Sequence, residues 1–190
     1  MQSHNGKPDS YDTSSCLAVI RAAERTQSPA MILLFPATLR QFGRPFLKFI
    51  LDAARSSTVP IAVHLDHATT AEDIDLVLTW AEESGEKERE ATFDSIMIDA
   101  SHAPTDSENL SLIIPHIRRA TSCRIPVEVE LGRLEGGEAG LRVIESGGQE
   151  LTDPKRAERF MNESGAVVLA PSIGNLHGKY LREPDFRLDM

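Results

Sequence analysis

The chain has 190 residues, 41% hydrophobic and 26% charged, which suits one globular domain or a piece of a larger one and excludes a disordered or fibrous protein. Twenty Lys and Arg against 29 Asp and Glu leave a formal charge of −9, which argues against nucleic acid and weakens any reading as a binder of anionic membrane. Its longest apolar runs, 30–36 and 166–171, are too short to span a bilayer, and the N-terminus shows no apolar signal region. Cys16 and Cys123 make neither a disulfide framework nor a thiolate cluster, so the expected location is a reducing cytoplasm.

In chain order, a polar tail over residues 1–12 precedes a helical pattern over 13–26. Short apolar runs follow at 31–35, 61–65, 95–98, 127–131 and 166–170, with amphipathic stretches between them at 40–56, 70–84, 108–122 and 154–164. Thr70-Ala71-Glu72-Asp73 loads one first turn with acid, and Thr152-Asp153-Pro154 places a cap before Pro at another. Continuous apolar strands roughly thirty residues apart with helices between them describe repeated βα units around a parallel sheet. A doubly wound sheet and part of a (β/α)8 barrel both fit this α/β pattern. No dinucleotide glycine fingerprint follows the first strand, where Phe35-Pro36-Ala37-Thr38 stands instead.

Polar residues collect at the predicted strand ends, which is where parallel barrels gather ligands and catalytic groups. Period two places His64 with Asp66, and Glu128 with Glu130, on one face of their strands. Carboxylates inside apolar strands are costly unless paired, hydrogen-bonded or bound to a metal. His67 and His177 directly follow apolar runs and suit zinc with carboxylate supplements. Taken singly, each reads as a hydrogen-bonded histidine; with Asp99 and Glu130, a divalent metal is the stronger reading. His4 and His116 look incidental, and His102 is open to either reading. Residues 132–148 hold six of the twelve glycines, a loop over 132–150 expected to be mobile, with Glu138 either carried into a site or a solvated acid.

Four segments together resemble the class II, zinc-dependent fructose-bisphosphate aldolases and related ketose-bisphosphate aldolases. They are His64-Leu65-Asp66-His67, Ser95-Ile96-Met97-Ile98-Asp99-Ala100-Ser101-His102, Val127-Glu128-Val129-Glu130-Leu131-Gly132, and Ser172-Ile173-Gly174-Asn175-Leu176-His177-Gly178. The resemblance runs from about Leu17 to Phe186 and implies a TIM barrel, dimeric or larger, that cleaves a ketose bisphosphate by reverse aldol reaction. It implies fructose 1,6-bisphosphate as first substrate, dihydroxyacetone phosphate and an aldehyde as products, and a role in glycolysis. Residue by residue, His67 and His177 match two zinc ligands, and Asp66 the residue that shuttles the proton of the reacting hydroxyl. Glu138 matches the loop acid-base, and Asp99 and Glu130 a second, accessory metal position. Gly178 matches a backbone contact to substrate phosphate or to a monovalent cation.

The sequence also departs from the family pattern. Five βα units can be counted over 13–190 against the eight, in about 250 residues, of a complete barrel, so the expectation is an incomplete barrel without a third zinc histidine. Phe35 stands where the family often has a substrate-contacting serine, Arg133-Leu134-Glu135 adds a residue before Gly136, and Ala139 replaces a common acid. The alternative is therefore an inactive aldolase remnant or a protein that binds sugar phosphate without turning it over.

Overall fold

The computed structural model describes residues 12–84, 92–132 and 151–173. Helix α1 (Thr13–Thr26) leads into four βα units and a fifth strand: β1 (Ala30–Leu34), α2 (Pro36–Arg55), β2 (Ile61–Ala68), α3 (Ala71–Ser84), β3 (Ser95–Ile98), α4 (Asp106–Ser122), β4 (Val127–Leu131), α5 (Pro154–Ser164) and β5 (Val168–Pro171). All four strand pairings are parallel, and the strand order is β1-β2-β3-β4-β5. A doubly wound sheet reverses its order at a switch point. This sheet never does: it is wound in one direction as a half-barrel, an incomplete TIM-type fold.

Local chemistry explains where the elements begin. Asp12 caps α1 by accepting from the Ser15 N–H at 2.7 Å, Thr105 caps α4 by accepting from Glu108, and Asp153 caps α5 by accepting from Arg156. Helix α2 begins at Pro36, four residues before its sequence pattern becomes regular at Arg40, because Pro at the first position supplies helical φ without losing a needed N–H. Its axis then breaks at Gly43 (φ 71°, ψ −173°), just before Pro45. Strand β2 also exceeds its apolar run, carrying Asp66 and His67 within the strand rather than after it.

Alternation sorts the strand side chains. Ile32, Leu34, Val63, Leu65, Ile96, Ile98, Val127, Val129 and Leu131 are buried in one cluster with Leu47, Ile50 and Leu51 of α2, Leu78 of α3, Ile113 and Ile117 of α4 and Phe160 of α5. Each such side chain contributes on the order of 1.5–3 kcal/mol through removal from water. The opposite face of β2, β3 and β4 carries His64, Ser95, Glu128, Asp99 and Glu130, so the helix layer fixes where these polar groups stand. No described helix is long and apolar enough to cross a membrane.

Candidate functional site

The polar face is arranged in two tiers. In the lower tier His64 is buried, its Nδ1 2.7 Å from Ser95 Oγ and its Nε2 3.4 Å from Glu128 Oε2, without an aligned hydrogen bond to the carboxylate. Burial, with the charge of His67 second, pulls His64 down to about 4, so it is neutral at physiological pH. Burial and the nearby Asp66 carboxylate push Glu128 the other way, above the usual carboxylate range.

The upper tier lies at the C-terminal ends of three adjacent strands. His67 of β2 places Nδ1 3.1 Å from Asp99 Oδ2, just past β3, and 4.0 Å from Glu130 Oε2 on β4. Ser101 donates its backbone N–H to Asp99 Oδ1 at 2.9 Å, and Asn109 of α4 donates to the Glu130 carbonyl, holding that strand end from below. All three site residues are close to fully buried, with side chains 11%, 7% and 7% exposed for His67, Asp99 and Glu130.

A break in the strand register brings His67 there. β2 pairs Leu65 with Ile96 and Ala68 with Ile98, so β2 spends one more residue than β3 between the two rungs. His67 adopts φ 48°, in the left-handed region that residues with a β-carbon seldom visit. Strict alternation would turn His67 away from the face that carries His64 and Asp66. The extra residue re-aims it toward Asp99, and Asp66 remains close enough to act electrostatically on His67, Glu128 and Glu130.

This tier sets one imidazole among three carboxylates. Burial opposes a charge on His67, but the Asp99 hydrogen bond and the carboxylates of Asp66, Asp99 and Glu130 outweigh it and raise the imidazole to about 9. Burial, then the Asp99 charge, raises Glu130 to about 8. Asp99 is lowered despite its burial, because His67 and Ser101 hydrogen-bond its charged form. The three ligand atoms lie within 4.8 Å of one another. One imidazole and two carboxylates match zinc's ligand preferences, and tetrahedral bonds of about 2.0–2.2 Å would draw the wider pairs of these atoms together by up to about 1 Å. The donor set fits the ion.

Asp66, His67, Asp99 and Glu130 are thus gathered at one rim. Glu138, His177 and Gly178 lie outside the described residues, as do the tail over 1–11 and most of the glycine-rich loop. His116 sits on α4, 3.8 Å from Asp75, and takes no part in the rim. Exposed His102 lines a cavity of about 180 Å³ beside the rim, with Ser101, Asn109 and Arg156. Cys16 is buried in α1, where loss of solvent raises its thiol to about 11, so it is no thiolate ligand. Ser95 and Ser101 do not stand out as site residues in the sequence; a serine at a strand start or in a turn carries no signal until its neighbours are known.

Comparisons with known proteins agree with this fold. The family model for fructose-bisphosphate aldolase class-II matches residues 7–190. A Coccidioides immitis protein provisionally named fructose-bisphosphate aldolase is 39% identical over 170 residues, covering 90% of this chain and 55% of that protein. A fructose-bisphosphate aldolase of Helicobacter pylori is 36% identical over 174 residues, covering 90% of this chain and 52% of its own length. A 6-phospho-5-dehydro-2-deoxy-D-gluconate aldolase of Bacillus licheniformis is 31% identical over 172 residues, covering 88% and 53%. The crystal structure of the Coccidioides immitis protein superposes with a TM-score of 0.81 at 37% identity, over 94% of this chain and 58% of that one. The chain spans about half the length of the curated relatives it matches. It belongs to the class II fructose-bisphosphate aldolase family.

Proposed function

We propose that the rim of β2, β3 and β4 is the zinc centre of an aldolase that cleaves a ketose bisphosphate, fructose 1,6-bisphosphate first, to dihydroxyacetone phosphate and an aldehyde. One observation carries the reading: in a chain of this family, His67, Asp99 and Glu130 converge, buried, at the C-terminal ends of three adjacent strands. Zinc bound there supplies Lewis-acid polarisation of the substrate ketone.

The chain's own residues do the rest. His67 is a ligand, and His177 is proposed as another. Asp99 and Glu130 hold the same ion or a second divalent ion beside it. Asp66, next to His67 on the strand, accepts the proton of the hydroxyl on the far side of the scissile C–C bond. As that O–H bond breaks, its electrons form the aldehyde carbonyl, and the C–C bonding pair moves toward the ketone. Glu138 returns a proton to the carbon left behind, and the Gly178 backbone contacts substrate phosphate or a monovalent cation. A homodimer working in the cytoplasm, in glycolysis, completes the proposal.

The relatives' names include more than one sugar phosphate, so the assay should offer several ketose phosphates. Cleavage of fructose 1,6-bisphosphate that stops with EDTA and returns with zinc supports the reading. Turnover that survives complete removal of metal would contradict it.

A further inference from the structure

Strand β1 ends at Leu34, and Phe35 follows as the N-cap of α2. Ser, Thr, Asp and Asn are favoured at that position because their oxygens accept from free backbone N–H groups of the first turn. Phe35 offers no such oxygen and makes no side-chain cap bond. Its ring is instead buried to 9% exposure and lies parallel to the His67 imidazole, with centroids 6.4 Å apart and planes 4° apart.

His67 needs support of this kind. Its backbone is left-handed, and it sits where the β2 register shifts, so the strand ladder does not by itself fix the ring. The contact with Asp99 holds the ring at Nδ1, and the parallel phenyl ring lies to one side of its plane. A flat, buried neighbour on the side of β1 limits how the imidazole can turn. A residue that breaks the capping rule beside a chemically loaded residue is better explained by its contact than by its helix.

We propose that Phe35 is a positioning residue of the rim: by stacking on His67 it holds the imidazole in the plane that brings Nδ1 to Asp99 and Glu130. The metal-binding half of this inference rests on the function proposed above. It predicts that the aromatic face, not merely the volume, at residue 35 sets the affinity for zinc.

The test compares the unmodified chain with Phe35→Ala, Phe35→Leu and Phe35→Tyr. Zinc affinity is measured by competition with a chromophoric chelator, and the His67 ring resonances are followed by NMR in the metal-free protein. Phe35→Leu keeps most of the packing volume and is expected to bind zinc about tenfold more weakly, the lower edge of what partners outside the ligand set contribute. The His67 resonances should move with it, and Phe35→Tyr should restore both. Phe35→Leu with the affinity and His67 resonances of the unmodified chain would overturn the proposal, as would a loss confined to Phe35→Ala. If the unmodified chain binds no zinc, the proposed centre fails, whereas the His67 resonances still decide the stack.

Discussion

Nδ1 of His67 lies 3.1 Å from Oδ2 of Asp99, on the neighbouring strand, because β2 carries one residue more than β3 between their shared rungs. The imidazole is therefore held by a carboxylate on one ring nitrogen and a phenyl face on one side, with a second carboxylate 4.0 Å away. A group so placed is costly to disturb and well placed to share a cation.

Asp99→Asn keeps the shape of the side chain and removes its charge. Zinc affinity should fall by at least about a hundredfold where Asp99 binds the same ion as His67, and by about tenfold where it only supports the His67 imidazole. Competition with a chelator measures this. Circular dichroism should show the fold retained.

Protons should leave as zinc enters. With His67 raised to about 9 and Glu130 to about 8, both carry a proton at pH 7, and both must lose it to bind metal. Zinc affinity should therefore climb between about pH 6 and pH 9, with about two protons released at pH 7. Calorimetry in buffers of different ionisation enthalpy counts them.

The same shifts set the stability of the metal-free protein. His67, raised when folded, contributes stability that is complete below its unfolded value and is lost as pH rises through about 9. Glu130, also raised, favours folding while neutral and opposes it as pH rises from the unfolded value through about 8. Both terms have the same sign, so the melting temperature of the metal-free protein should fall from about pH 6 to pH 9. Saturating zinc should flatten that slope.

Gly132 ends β4 at φ +94°, and a Cβ there would meet Thr152 Oγ1 at 2.8 Å and Ser172 Cβ at 3.0 Å. Thr152 Oγ1 donates to the Leu131 carbonyl and accepts from the Ser172 N–H, each at 2.8 Å, so it clasps β4 to β5. Gly132→Ala should cost on the order of 2–4 kcal/mol, from left-handed strain plus the displaced clasp. Gly165 has φ +74°, but a methyl group added there would meet nothing within 4 Å, so Gly165→Ala should cost only about 1 kcal/mol. Urea unfolding of both variants separates strain from collision.

Much of this was legible in the sequence. Apolar runs thirty-odd residues apart located each strand among the described residues within a few positions, and α1, α5, β3 and β4 fall on their expected bounds. Period two correctly set Glu128 and Glu130 on one face of β4, because β4 is regular. The same rule could not place His67: a bulge is a property of two paired strands, and one strand's sequence does not show it. Nor does the sequence of 35–36 show a phenyl lying on an imidazole thirty-two residues away, because packing across strands leaves no periodic mark. The early start of α2 was hidden in Phe35-Pro36, where the proline reads as a breaker until it is seen at the first helical position.

The central claim is that the rim holds zinc, and metal content tests it most directly. The chain should be purified, loaded with zinc, freed of excess by gel filtration and analysed beside His67→Ala. The account predicts about one zinc per chain, with little or none in the variant. An unmodified chain that remains folded but retains no zinc would contradict it.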